Sequence, residues 1–457
     1  MRILQYNNTQ KNILNFAKEN GSELMNDNNV FTNEKCVGCS LCILKCPCDE
    51  ANVAYKKDDQ YKVYVDDNKC IACGECLRVC KHEARDYTDD TERFFGDLKA
   101  GHKISLIVAP ALRSNVAEWP QLLGYLKSLG LNAIYDTSFG ADICTWAYLR
   151  YIETHDITSM IAQPCPAIVN YIEYYIPEHL SRLAPIHSPA MCIAIYMSKY
   201  KNIEGSYAFL SPCIAKSDEF NCPNTEGLVG YNITFKKLME YLDENNIDFR
   251  TCEPAEYDNE THGFGSIFSS PGGLKANVEQ YIQGEWIYQV EGQPDAAQFL
   301  QEYASERGDA PFLVDILNCQ HGCNAGPGAC RSEHERYIVD KAMHKVKTDT
   351  LESKVDHNIQ PGPDFKQFDR DLDLADFKRC YSPRKITPMF VDRSELEQAF
   401  LAMHKPTSDL RTHDCRRCGF NTCQEMATAI AKGINHEENC IDYYRGILKQ
   451  QKESGGV

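Results

Sequence analysis

Long apolar runs are missing from this sequence. No stretch reaches the roughly 18 to 20 residues needed to span a bilayer, and the opening MRILQYNNTQ lacks the apolar centre of a secretory signal. Both absences argue against a membrane or export role and set the expectation of a cytoplasmic protein. A basic excess is missing too: the net charge is -17, which argues against non-specific nucleic-acid or anionic-membrane binding and suits a basic redox partner. There is no solenoid period and no low-complexity tract. Cysteine, by contrast, is abundant, with 23 in 457 residues. Without an export signal the expected state is reduced thiol, and so many thiols point to metal.

With 43% hydrophobic and 25% charged residues the chain has material for a large core and about three or four domains. The expected divisions are an N-terminal extension (1–33), a cysteine-dense segment with short strands such as YKVYVDD (34–95), an α/β segment (96–345), a linker with a helix at RSELEQAFLAMHK (346–405), and a compact C-terminal segment with four more cysteines (406–457). In the α/β segment KISLIVAP, LNAIYDTS, TSMIAQP, YAFLSP and PFLVDILN are predicted strands that alternate with helical runs, which implies parallel sheets. The fold class is therefore multidomain α+β and α/β.

Cys165, Cys213 and Cys319 each follow a predicted strand. Parallel sheets bind ligands beyond the carboxyl ends of their strands, so three thiols remote in sequence have a reason to converge. Cys165 lies between Pro164 and Pro166, ahead of Ile168, Val169, Ile172, Tyr175 and Ile176 at helical spacing. Its place is the cap of a helix, where the dipole and unpaired amides are expected to lower a thiol's pKa. Both a metal ligand and a small core thiol satisfy that position.

The first cysteine run is CxxCxxCxxxCP (Cys36, Cys39, Cys42, Cys46, Pro47). The second is CxxCxxCxxxC (Cys70, Cys73, Cys76, Cys80), with Lys81 where proline is usual. This is the pattern of a bacterial-type two-cluster ferredoxin, in which each run's fourth cysteine serves the other run's cluster. One 4Fe-4S cluster is assigned Cys36, Cys39, Cys42 and Cys80, and the other Cys70, Cys73, Cys76 and Cys46. Near the C-terminus Cys415, Cys418, Cys423 and Cys440 give C-x2-C-x4-C-x16-C, a set that suits either 4Fe-4S or tetrahedral zinc. It resembles the small iron-sulfur domain of corrinoid-dependent and regulatory redox proteins, which favours a third such cluster.

QPCPA around Cys165, LSPCIAKSDEF around Cys213 and DILNCQHGCNAGPGAC with Cys319 and Cys323 resemble the three signature motifs of FeFe-hydrogenases. FGADICTWAYL, LIVAPAL and FSSPGGL match in order. The resemblance implies a two-lobed H-cluster domain. Cys165, Cys213, Cys319 and Cys323 would hold the H-cluster cubane, with Cys323 joining it to a diiron subsite that carries carbonyl, cyanide and azadithiolate. Lys216 would bond a cyanide, and Cys323 and Lys216 are the catalytic candidates. Pro110, Ala111, Pro164, Ser211, Phe268, Pro271, Gly272 and Leu317 would line the subsite. The other seven cysteines, Cys48, Cys144, Cys192, Cys222, Cys252, Cys330 and Cys380, read as core or surface thiols.

The pattern departs from catalytic members at the proton relay. Pro164 stands where a thiol usually carries protons, Tyr148 and Tyr151 stand for two glutamates, and Ala184 for a serine. Ser211, Leu317 and Ala111 replace two methionines and a serine around the subsite. A phenol with a pKa near 10 is a poor proton carrier at neutral pH. This resembles sensory, group D-like FeFe-hydrogenases without a PAS domain. The implied function is slow, reversible oxidation of hydrogen with a ferredoxin-type acceptor, in hydrogen or redox sensing. The implied partners are hydrogen, protons, maturation proteins and a separate kinase or phosphatase. The alternative is a non-enzymatic hydrogenase-like iron-sulfur protein without the diiron subsite. Glu219, Asp142, Cys144 and His187 are open candidates for another proton route.

Overall fold

The computed structural model describes residues 30–225, 227–259, 263–305, 310–331, 333–355, 365–384, 386 and 388–453. Most of the expected N-terminal extension, and nearly all of the NIQPGPDF loop, lie outside the described residues. The chain forms two compact units, one from the described residues of Met1–Cys70, Gly74–Thr88 and Ile386–Val457, the other from Ile71–Cys73 and Asp89–Lys385. No described helix is long and apolar enough to cross a membrane.

In the first unit β1 (Val30–Thr32) pairs antiparallel with β4 (Arg85–Tyr87), and β2 (Asn52–Lys57) with β3 (Gln60–Val65). The β2–β3 hairpin turns at Asp58 and Asp59, both at positive φ (50° and 59°), which matches the right-handed twist of the flanking strands. The C-terminal part is helical. Arg393–Ala402 and Cys423–Ala431 start with capping boxes, Asp392 with Glu395 and Thr422 with Glu425. Phe400, Met403, Met426 and Ile430 pack with Cys423 and Cys440 in a small core. This part joins the cysteine-dense segment in one unit: the Ala54 amide donates to Ile434 O at 3.0 Å, and Glu50 pairs with Lys432 at 3.2 Å.

The second unit contains two all-parallel sheets. Four strands run in the order β6 (Ile134–Asp136), β5 (Ile104–Val108), β8 (Ser206–Ser211), β9 (Val229–Thr234), and three in the order β10 (Ile287–Glu291), β11 (Leu313–Leu317), β7 (Met160–Ile161). Register pairs Leu106 with Ile134 and Ala208, and Val314 with Ile161. All five residues of β5 and of β11 are buried, as strands covered on both faces by helices must be. The five predicted strands are present. β9 and β10 were not predicted, because their alternating polar residues (Gly230, Asn232, Gln289) hide the apolar signal. Two expected divisions fall differently in the structure. Residue 345 lies within a helix, Arg336–Val355, and Phe365, Phe368 and Phe377 of the expected linker are buried in the main core. Three aromatic side chains in a polar stretch gain more from burial than from forming a solvated linker.

Candidate metal centres and the pocket beside them

Cys165 caps the helix Pro166–Tyr175, with Pro166 as its first residue, as expected. Its thiol, however, is raised above its ordinary pKa. Burial is the largest cause and outweighs the amides of Asn318, Ile168 and Ala167 and the charge of Lys216. The expectation of a lowered pKa counted the helix end and left out the complete loss of hydration. Cys213 follows β8 by two residues, with its amide donating to Ser211 Oγ at 3.2 Å. Cys319 follows β11 by two residues. Cys323 opens a short 3-10 turn, and its amide donates to Ser269 O at 2.9 Å. Gly322 before it, at φ +67°, has no room for a side chain: a Cβ would lie 2.5 Å from Ser269 O.

The four thiols are close enough to repel one another as thiolates. Burial first and then this repulsion raise Cys213, Cys319 and Cys323, the last to about 12. Left to themselves they stay protonated at neutral pH. Iron would displace those protons and supply the positive charge that four buried sulfurs lack, so the donor set fits a cubane.

Beside Cys213 and Cys323 lies a pocket of about 70 Å³. Pro110, Pro164, Ser211, Lys216, Phe268 and Leu317 line it, together with Thr137, Pro189 and Phe209, which sequence reading did not pick out. The lining is apolar around one ammonium, the usual composition of a small-molecule site. Ala111, Pro271 and Gly272 are not on its lining. Ala111 is fully buried, its carbonyl accepting from Ser114 Oγ and Asn115 Nδ2, and the Pro271 ring lies against Gly322.

Lys216 is buried. Its Nζ donates to Ser188 Oγ at 3.0 Å and pairs with Glu219, which also takes Arg379 at 3.3 Å. Burial would raise the Glu219 carboxyl, but the two cations hold it below its ordinary value. This triad carries one net positive charge, and an ammonium with two bonds has a third donor to offer. The spacing Lys216-x-x-Glu219 was a legible signal for the pair. Arg379, 160 residues from Glu219, had none.

The other candidate proton carriers are engaged elsewhere. Asp142 accepts from the amides of Gly263 and Gly265, and thereby anchors the loop that leads to Phe268. Cys144 and Cys192 both donate to His187 O at 3.4 Å. His187 is pushed down to about 4 by burial and by Arg379, which leaves it neutral. Tyr148 is fully buried and bonded to Gln163 Oε1, and burial raises its phenol well above the usual value. Tyr151 stacks on His155 at 4.0 Å, and Ala184 is buried.

In the first unit Cys36, Cys39, Cys42 and Cys80 line one small hollow. Gly38, at φ +68°, lets the chain pass where a Cβ would lie 2.4 Å from Tyr61 O. Cys46 and Cys76 influence each other electrostatically. Cys70 belongs to this unit, whereas Cys73 belongs to the second, its carbonyl accepting from Asn318 Nδ2 at 3.3 Å. Cys415, Cys418, Cys423 and Cys440 line a small hollow with Lys405. The Lys405 ammonium bonds Asp442 at 2.5 Å and Leu410 O at 2.8 Å. Among the described residues no group of His, Cys, Asp and Glu side chains is arranged for a single metal ion. Here the thiols surround hollows. No disulfide joins any two of the described cysteines.

Residues 35–84 match the 4Fe-4S dicluster domain family, residues 102–327 the family described as iron only hydrogenase large subunit, C-terminal domain, and residues 413–441 a family of Fe-S cluster segments. Iron hydrogenase 1 of Clostridium pasteurianum is 26% identical over 292 residues, 48% of this chain and 51% of that protein. The periplasmic [Fe] hydrogenase large subunit of Nitratidesulfovibrio vulgaris is 26% identical over 282 residues, 48% of this chain and 66% of that one. The nuclear prelamin A recognition factor of Xenopus laevis is 22% identical over 244 residues, 42% of this chain and 53% of that one. The chain spans about half the length of the curated relatives it matches. A solved [FeFe]-hydrogenase from Chlamydomonas reinhardtii, 16% identical, covers 65% of this chain and 100% of its own at a TM-score of 0.50, a likeness of fold. Residues 102–327 are thus similar to the C-terminal domain of iron-only hydrogenase large subunits, with a stretch similar to a 4Fe-4S dicluster domain before them and one similar to Fe-S cluster segments after them.

Proposed function

We propose that this protein is a slow [FeFe]-hydrogenase used to sense hydrogen or redox state. The observation that carries the reading is the convergence of Cys165, Cys213, Cys319 and Cys323 beside an apolar pocket holding one ammonium. When bound there, an H-cluster supplies the heterolytic cleavage of hydrogen, and the protein supplies the environment. The four thiolates would hold the cubane, and Cys323 would also hold the diiron subsite. Lys216 would offer its third donor to an anionic ligand of that subsite, its orientation fixed by Ser188 and Glu219. Pro110, Phe268 and Leu317 would keep water out. The other twelve assigned cysteines would hold three further 4Fe-4S clusters, which pass electrons toward a redox partner or, as a signal, toward a separate kinase or phosphatase.

Protons would leave slowly. Pro164 has no proton to give, Tyr148 is committed to Gln163, and Glu219 is held ionised between two cations. General acid–base steps are worth about 10²- to 10⁴-fold, so turnover should fall short of catalytic members by about that much. A matured preparation assayed for hydrogen uptake and evolution tests this; rates equal to those of catalytic members would remove the sensory role. A second reading, a hydrogenase-like iron-sulfur protein that never receives the diiron subsite, draws support from the same missing relay. It predicts a cubane at Cys165 and no hydrogen chemistry after maturation.

A further inference from the structure

Each of three sulfur-lined sites has a buried cation. In two of them a carboxylate pairs with it, Glu219 with Lys216 and Asp442 with Lys405. Arg85 in the first unit is different. It lies on β4, 7% exposed, and its Nη2 donates to Cys42 Sγ at 3.0 Å and to Asn52 Oδ1 at 2.7 Å. Its Nη1 is buried without a hydrogen-bond partner, and no carboxylate among the described residues pairs with it. Asn52, itself buried on β2, donates in turn toward Cys46. The guanidinium acts electrostatically on Cys36 and Cys42 of one assigned ligand set and on Cys46 and Cys76 of the other. A buried guanidinium without a carboxylate is costly unless something else supplies its negative charge. Among the described residues the guanidinium's hydrogen-bond partners are Cys42 Sγ and Asn52 Oδ1, so the negative charge it lacks would come from cysteine sulfurs once they bind metal.

We propose that Arg85, held by Asn52, is a positioning residue that raises the reduction potentials of both cubanes of the dicluster segment by placing one fixed positive charge within reach of both ligand sets. The proposal rests on the reading of residues 36–80 as two 4Fe-4S sites. On reduction each cubane takes up one electron, and no bond forms or breaks. The added negative charge is stabilised by a nearby cation and by hydrogen bonds to the sulfurs, both of which raise the potential. One cation shared by two clusters ties their potentials together, which suits a relay in which neither should trap the electron.

The test uses the full chain, reconstituted anaerobically and titrated with dithionite under electron paramagnetic resonance. Iron and sulfide content of the unmutated protein comes first: a dicluster segment without cubanes contradicts the underlying reading and leaves Arg85 nothing to act on. With cubanes present, R85M is expected to disfavour reduction of both dicluster signals at least tenfold, that is by 59 mV or more for one electron. R85K, which keeps the charge, should recover most of that, and the C-terminal signal should not move. Unchanged potentials in R85M, a shift confined to one cluster, or an R85K shift as large as that of R85M would each overturn the proposal. Should R85M fail to take up clusters, unmutated protein labelled with nitrogen-15 arginine decides. Nitrogen hyperfine coupling to the reduced clusters that is lost in R85K supports the proposal, and its absence overturns it.

Discussion

Cys165, Cys213, Cys319 and Cys323 crowd together at real electrostatic cost, whereas the positions around them that resemblance ties to proton transfer include Pro164 and Ala184, which have no ionisable group, and Tyr148, whose phenol burial raises well above its usual value. The two regions were built to different ends. Thiols raised by burial and by one another are poor in isolation and gain from metal, so their convergence is a preparation for iron. The relay positions have been spent on packing: the Tyr148 ring fills the core and its hydroxyl is committed to Gln163. The carboxylate nearest the pocket's ammonium, Glu219, is fixed between Lys216 and Arg379. On the proposed reading the site keeps the thiols that would hold a cluster while its surroundings would move protons slowly.

The largest expected effect breaks the sulfur side. C165S should lose the four irons of its cubane and all hydrogen chemistry while the iron of the dicluster segment remains, as read by iron content and electron paramagnetic resonance. Full iron in that variant would make Cys165 a core thiol after all. Next is the charge triad: E219Q leaves Lys216 and Arg379 buried without their counter-ion and should cost about 3–5 kcal/mol in denaturant unfolding. A loss under about 1 kcal/mol would mean that water or a ligand neutralises them instead.

Asp315 sharpens the comparison from the strand side. It lies buried on β11 and is raised to about 6, by burial first, although its carboxylate accepts from the Lys275 amide at 2.9 Å. Its folded pKa lies above the unfolded value of about 3.9, so between those values the folded state keeps a proton that the unfolded state has lost, and stability falls as pH rises. About 2–3 kcal/mol should disappear from about pH 4 to about pH 6 by this group alone. D315N, which keeps the acceptor, should flatten that part of the profile in urea titrations, and an unchanged slope would place the titration elsewhere. The smallest effect is on the relay: P164C alone should raise hydrogen uptake less than tenfold, because Tyr148 and Ala184 still interrupt the path. A larger gain would mean that one thiol suffices.

Much of this arrangement is legible in the amino-acid sequence. Cysteines spaced two or three apart announce a cluster because local chain geometry alone brings them together. Cys165, Cys213 and Cys319 are legible by a different route, as residues just past β7, β8 and β11, where parallel strands open onto a crevice. What stays hidden is what tertiary packing decides. Arg85 and Lys405 look in sequence like any basic residues near a cysteine run, yet both are buried beside sulfur. Cys165 shows the same limit: its helix and its cap position follow from two prolines and an apolar period, but the sign of its pKa shift depends on burial, which no local pattern reports. Phe365, Phe368 and Phe377 belong to the core for the same reason, in a stretch whose composition resembles a linker.

The measurement that bears most directly on the whole account is infrared spectroscopy of the protein after exposure to the diiron maturation enzymes. The account predicts sharp bands from iron-bound carbonyl and cyanide, present in the unmutated chain and absent from C323S. A matured protein with its full complement of cubanes and no such bands would contradict it.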